Sequence, residues 1–107
     1  MPVTLEEVSR MYGTVARMRL KPGMEAKLKE EMAQYERLKI PGFISTMVYR
    51  MDRDPNELYM AVAFKDKATY VANAQDPKQD ERFRKMRAFL AADPEWHDGE
   101  IVASDSA

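Results

Sequence analysis

The clearest candidate for acid–base chemistry is one histidine. His97 is the only histidine in the chain, and imidazole titrates near neutral pH, which suits a general base. Asp98 follows it directly, but neighbouring residues of a strand point to opposite faces, so Asp98 does not orient His97 within one strand. His97 is therefore either a catalytic base or a strand-end residue that bonds to backbone or to a partner chain.

Three tyrosines and one asparagine are candidates for a binding pocket. Tyr49, Tyr59 and Tyr70 each combine a ring that packs with a hydroxyl that forms hydrogen bonds. They line an aromatic pocket or are core and interface residues with satisfied hydroxyls. Asn73 falls in a predicted helix where a stronger helix former is expected, so it either reaches into a cavity or lies in solvent.

Two arginines of the first predicted strand share a face. Alternation points Arg17 and Arg19 to the same side as Val15. If that side is enclosed, both cations approach a partly dry cavity and need carboxylate partners or an anionic ligand. If the register shifts by one residue, both are ordinary surface residues.

Composition excludes several kinds of chemistry. The chain has no cysteine, which excludes disulfides, thiolate nucleophiles, zinc–thiolate sites and iron–sulfur clusters. A single histidine excludes a multi-histidine metal site within one chain, and we expect no metal and no cofactor. Seventeen basic against eighteen acidic residues leave no cationic surplus for nucleic acid. Only four glycines are present, and none forms a phosphate loop.

Nothing in the sequence predicts insertion into a membrane. No stretch approaches the ~20 apolar residues that span a bilayer. The N-terminus is acidic and lacks the apolar run of a secretory signal. We therefore expect a cytoplasmic location.

Hydrophobic periodicity divides the 107 residues into one domain with a core over residues 12–104. Residues 1–11 form a short helix, opened by a capping box at Thr4–Glu7, or a frayed tail. The remaining predicted elements are strands over 13–20, 43–51, 57–64 and 96–104 and helices over 24–38, 66–75 and 78–91.

The order of these elements predicts an α+β, ferredoxin-like βαββαβ fold with a four-stranded antiparallel sheet. Two main helices cover one side of such a sheet, yet the second and third strands carry apolar residues on both sides. We therefore expect a homodimer that packs sheet against sheet and encloses a cavity for a small aromatic or apolar molecule.

Several segments resemble the antibiotic-biosynthesis-monooxygenase-like family of small dimeric α/β barrels. The likeness covers roughly residues 12–104. The segments that carry it are VARMRLKPG at 15–23, Pro-Gly-Phe at 41–43, the helix from Lys65 to Tyr70, and WHDGEI at 96–101.

The resemblance implies cofactor-free oxygenation of an aromatic substrate in some members and haem cleavage in others. Tyr70 and Arg84 correspond to a tyrosine and an arginine of the oxygenases. Met60 and Phe64, however, stand where those oxygenases carry an asparagine and a tryptophan. Haem-cleaving relatives use an asparagine on the first strand and a helical histidine, both absent here, so haem cleavage is not expected.

Two functions compete on this basis. The first is cofactor-independent oxygenation of an aromatic or quinol-like molecule, and the second is a non-catalytic dimeric domain that binds a small apolar ligand or serves in assembly. The candidate catalytic residues are His97, Tyr70 and Arg84. The candidate pocket residues are Arg17, Tyr49, Tyr59, Met60, Phe64, Asn73 and Trp96.

Overall fold

Four strands pair into one sheet, and the helices lie over one of its sides. The computed structural model describes residues 10–36 and 38–105. The elements are, in chain order, β1 (Tyr12–Arg19), α1 (Glu25–Glu36), β2 (Phe43–Arg50), β3 (Glu57–Phe64), α2 (Lys67–Ala74), α3 (Pro77–Arg87) and β4 (Glu95–Glu100). The predicted capping box at Thr4–Glu7 lies outside the described residues.

The strands lie in the order β2-β3-β1-β4, and every neighbouring pair is antiparallel. This arrangement confirms the predicted ferredoxin-like α+β fold. No helix within the described ranges is long and apolar enough to cross a membrane.

The two sides of the sheet differ in what covers them. The helices lie over one side, which we call the helix face, and none of the described helices covers the other side, the open face. Strand pairing assigns Thr14, Ala16, Met18, Thr46, Val48, Leu58, Met60, Val62, Phe64, Trp96 and Asp98 to the helix face. It assigns Val15, Arg17, Arg19, Ser45, Met47, Tyr49, Glu57, Tyr59, Ala61, Glu95 and His97 to the open face.

The buried core lies on the helix face at one end of β1 and β3. Its members are Met18, Leu20, Leu28, Leu58 and Leu90. Leu90 reaches this cluster through a bridge between its backbone and that of Leu20. Full burial of a leucine side chain contributes about 1.5–3 kcal/mol, so the cluster is a major source of stability.

A β-bulge corrects one predicted face. Alternation alone puts Phe43 on the same side as Met47 and Tyr49. The structure shifts register between Phe43 and Ser45 and pairs Phe43 with Phe64, which lies on the helix face. One extra residue in β2 reverses the alternation before it, so Phe43 packs beneath the helices instead.

Local caps set the limits of the two short helices. As predicted, the Asp66 carboxylate caps α2, where it accepts a hydrogen bond from the backbone N–H of Thr69. Helix α3 ends at Arg87, earlier than predicted. The chain then tightens into a turn, and the Ala91 N–H donates to the Arg19 carbonyl, so the segment leaves the helix to join the sheet edge.

Candidate ligand cavity

A cavity of about 720 Å³ separates the helix face of the sheet from the helices. This volume lies within the range of small-molecule sites. Neither α2 nor α3, both fully described, contains a buried residue, so these helices do not fill the space above the sheet. The lining residues include Thr14, Leu28, Met32, Tyr35, Phe43, Thr46, Met60, Val62, Phe64, Tyr70, Asn73, Phe83, Met86 and Trp96.

Aromatic rings in edge or tilted contact give the cavity a stiff wall. The ring centroids of Phe43 and Phe64 are 5.7 Å apart, and those of Phe64 and Tyr70 are 5.5 Å apart. On the other side, Phe83 of α3 meets Trp96 of β4 at 6.1 Å. Such pairs stabilise their own geometry, so the wall presents preformed aromatic surface to a ligand.

Tyr70 carries the main acid–base geometry of the cavity. Its hydroxyl donates a 2.8 Å hydrogen bond to an Asp98 carboxylate oxygen. Burial, and then this hydrogen bond, raise the pKa of Tyr70 to about 12. The Thr14 hydroxyl lowers the pKa of Tyr70 and so offsets part of that rise, although the Thr14 oxygen has no partner within hydrogen-bonding geometry. Tyr70 therefore stays protonated at neutral pH, and its oxygen can still accept a hydrogen bond.

A second tyrosine lies at the α1 side of the cavity. The Asn73 amide donates a long 3.5 Å hydrogen bond to the Tyr35 hydroxyl, and the Arg82 guanidinium lies 5.3 Å from the centre of the Tyr35 ring. Burial raises the pKa of Tyr35, against the lowering effects of Asn73 and Arg82. This group also stays a neutral donor at physiological pH.

Five of the sequence-selected pocket and catalytic residues line this cavity. They are Met60, Phe64, Tyr70, Asn73 and Trp96. Alternation along β3 and β4 and the inner sides of the helices bring these side chains together.

The other five selected residues lie elsewhere. Arg17, Tyr49, Tyr59 and His97 are on the open face, on the opposite side of the sheet from the cavity. Arg84 lies on the exposed side of α3, where it pairs with Asp80. The cavity that the structure shows therefore lies within one chain, beneath the helices, on the opposite side of the sheet from the one expected.

Arg17 is held by carboxylates of its own chain. It pairs with Glu57 at 2.7 Å and with Glu95 at 3.4 Å, and Arg53 pairs with the other oxygen of Glu57. Glu57 is only 2% exposed, and hydrogen bonds from Arg17 and then Arg53 hold its pKa below its usual range. The open face therefore carries an ion-pair network that satisfies its buried carboxylate.

Sequence reasoning did not select Thr14, Thr46, Tyr35 or Asp98 as cavity residues. The signal for the two threonines was available in the alternation, which put polar Thr14 and Thr46 among apolar side chains of the covered face. No group of histidine and acidic residues within the described ranges is arranged to hold a metal ion.

Residues 11–85 of the chain match the family model described as antibiotic biosynthesis monooxygenase. No curated protein matches the chain significantly. Solved structures share its fold at low sequence identity. A conserved protein from Methanosarcina mazei superimposes with a TM-score of 0.78 at 20% identity, covering 91% of this chain and 98% of its own.

Two further structures show the same fold. A Nitrosomonas europaea protein of unknown function gives a TM-score of 0.72 at 20% identity, covering 92% of this chain and 96% of its own. SnoaB, a cofactor-independent oxygenase from Streptomyces nogalater, gives 0.67 at 18% identity, covering 91% and 96%.

Proposed function

The chain belongs to the antibiotic biosynthesis monooxygenase family, and from this premise we propose that it oxygenates an aromatic or quinol-like small molecule in the cavity without metal or flavin. The supporting observation is Tyr70, which lines the cavity and whose hydroxyl donates a hydrogen bond to Asp98. A substrate hydroxyl beside Tyr70 has a route for its proton, and the surrounding rings suit a flat aromatic ligand.

The reaction balances without an external reductant. A hydroquinone and dioxygen give a hydroxyquinone and water: one oxygen atom replaces a ring hydrogen, and the other leaves as water. The substrate supplies all the electrons. Loss of a proton from the substrate hydroxyl comes first, because the resulting anion transfers an electron to dioxygen more readily than the neutral phenol does.

Tyr70 and Asp98 form a two-residue relay for that proton. The Tyr70 oxygen accepts a hydrogen bond from the substrate while its own proton already points at Asp98. The substrate proton moves to the Tyr70 oxygen as the Tyr70 proton moves to Asp98. Tyr70 therefore stays neutral, and Asp98 gains one proton. Asp98 is exposed, so it exchanges the proton with water.

Oxygen consumption tests the proposal. We expect purified protein, treated with a metal chelator, to consume one dioxygen per hydroquinone, and ¹⁸O₂ to place one labelled atom in the product. A panel of mono- and bicyclic hydroquinones, with heat-denatured protein to measure autoxidation, covers the substrate class. Consumption no faster than autoxidation across the panel would contradict oxygenase activity.

Binding without turnover is a second candidate. It is favoured by Met60 and Phe64, because both line the cavity where the family oxygenases carry an asparagine and a tryptophan. A binding domain is expected to gain thermal stability with aromatic ligands under air and to leave them chemically unchanged. Product formation in the same samples would decide for the oxygenase.

We also propose that two copies pair through their open faces. Val15, Met47 and Tyr49 are large exposed hydrophobic residues on this face, and Met47 is 57% exposed. They adjoin the Arg17–Glu57–Glu95 network, which carries both signs of charge. A two-fold pairing would bury these three apolar side chains, and a network with both signs of charge can face the same network of the other copy without net repulsion.

Replacing Met47 with glutamate is expected to weaken this dimer about 100-fold, because pairing would bury one unpaired carboxylate from each copy. Sedimentation at micromolar concentration should show the wild type at twice 12.4 kDa and the variant near 12.4 kDa. Val102→Glu is the matched control, since Val102 is 87% exposed and lies outside the sheet. A monomeric wild type would contradict the pairing.

A further inference from the structure

Two threonine hydroxyls on the floor of the cavity lack hydrogen-bond partners. Thr14 and Thr46 both line the cavity, and neither hydroxyl oxygen has a partner among the described residues. Thr14 is only 5% exposed. Buried hydroxyls normally form hydrogen bonds, so two unpaired hydroxyls on one cavity floor indicate a ligand group that binds them.

Strand register places both threonines in one row. Thr14 of β1 and Thr46 of β2 each pair with Val62 of β3, and Asp98 of β4 pairs with Thr14 on its other side. We call Asp98, Thr14, Val62 and Thr46 the floor row. Because strands are spaced ~4.8 Å apart, the two threonines stand about 10 Å from each other across Val62.

The floor row has a polar point at each end of an apolar centre. Val62 supplies apolar surface between the threonines, and Phe64 lies on the same face of β3 two residues further along the strand. Rotation about χ1 exchanges the hydroxyl and methyl positions of a threonine, so a ligand oxygen can draw each hydroxyl into the cavity. The Thr14 end adjoins the Tyr70–Asp98 hydrogen bond.

We propose that Thr14 and Thr46 are specificity-determining residues that bind the two terminal oxygens of a fused bicyclic aromatic ligand. This inference rests on the proposed function in taking the cavity as the substrate site. A flat ligand that lies over Val62 accepts a hydrogen bond from each threonine hydroxyl below it, so its two oxygens can be almost as far apart as the threonines themselves, a separation of about 10 Å that suits two fused rings. The oxygen at Thr14 lies next to Tyr70, so that end of the ligand gives up its proton.

Calorimetric titration under argon tests the row without turnover. The probes are 2,6-dihydroxynaphthalene and 2-hydroxynaphthalene. Since a neutral hydrogen bond changes affinity by about fivefold, the wild type should prefer the diol by about that factor. Thr14→Val and Thr46→Val should each weaken diol binding about fivefold and abolish the preference, because one hydrogen-bonding point remains in each.

The unliganded variants provide an independent measurement. Removing an unsatisfied hydroxyl should raise the Tm by roughly 4 °C or more in Thr14→Val and Thr46→Val. Thr69→Val is the matched control, because the Thr69 hydroxyl bonds to Asp66 outside the cavity. It should lower the Tm and leave the affinity for both probes unchanged.

Equal diol affinity in wild type and both valine variants would overturn the proposal. So would a lower Tm in both variants, since it would mean that water already satisfies the hydroxyls. These binding results do not depend on oxygen consumption. Failure of oxygenation with intact threonine-dependent binding would remove only the proposed reaction, and the reverse pattern would remove only the floor row as the binding site.

Discussion

Replacing Tyr70 with phenylalanine is expected to lower the rate of oxygen consumption by about 10²- to 10⁴-fold, the usual contribution of a positioned acid–base group. The ring stays in place, so its contacts with Tyr12 at 5.2 Å and Phe64 at 5.5 Å are kept. Asp98 loses one hydrogen bond but remains hydrated at the surface. The variant should therefore fold normally and bind substrate while failing to move its proton.

Two further variants separate chemistry from packing. Asp98→Asn should reduce the rate to a similar extent, because an amide accepts the Tyr70 hydrogen bond but does not take up its proton. Tyr12→Phe makes the same substitution in the neighbouring ring, and oxygen consumption should stay within about twofold of wild type.

The dependence of rate on pH gives an additional check. Because its pKa is about 12, Tyr70 does not ionise across ordinary assay conditions. Tyr70→Phe should lower the rate at every pH without removing an inflection below pH 10. Wild-type rates in Tyr70→Phe would show that the Tyr70–Asp98 pair takes no part in proton transfer.

Replacing Gly13 with alanine is expected to destabilise the fold by about 3 kcal/mol or more. A Cβ at this position would lie 1.8 Å from the carbonyl oxygen of Val62 and 2.9 Å from its carbonyl carbon. Both are backbone atoms of the adjacent strand, so β1 and β3 must separate to admit the methyl group. Total stabilities are commonly 5–15 kcal/mol, and this loss removes a large share.

Gly99 provides the matched control, because it pairs directly with Gly13 across β1 and β4. Apart from Gly99 itself and its two chain neighbours, no described residue has an atom within 4 Å of where a Cβ at Gly99 would lie. Urea unfolding should show Gly99→Ala within about 0.5 kcal/mol of wild type. Equal stability of the two alanine variants would mean that the Val62 backbone leaves room for a methyl group at position 13.

The sequence predicted the fold because apolar, aromatic and β-branched residues cluster in the strands, and capping or breaking residues lie at the ends of the helices. The limits of β3 and the cap at Asp66 follow directly from such local signals. The orientation of Phe43 did not, because a bulge depends on pairing with another strand. Alternation could not reveal the added residue.

Alternation of apolar and polar residues could not give the position of the cavity either. Sequence reasoning located apolar surface on both sides of the sheet and put the enclosed space on the uncovered side. Whether helices fill the space above the other side depends on the distance between the two layers. Phe64 and Trp96 therefore have cavity positions, whereas Arg17 and His97 lie behind the sheet.

The buried core and the cavity lie at different positions along the same two strands, β1 and β3. Met18 and Leu58 anchor one end of β1 and β3, whereas Thr14 and Val62, which also pair with each other, line the cavity further along. Substitutions at Thr14 and Val62 can therefore change the shape of the cavity while the contacts of Met18 and Leu58 stay intact. This partial separation makes these two positions good starting points for laboratory evolution of the cavity.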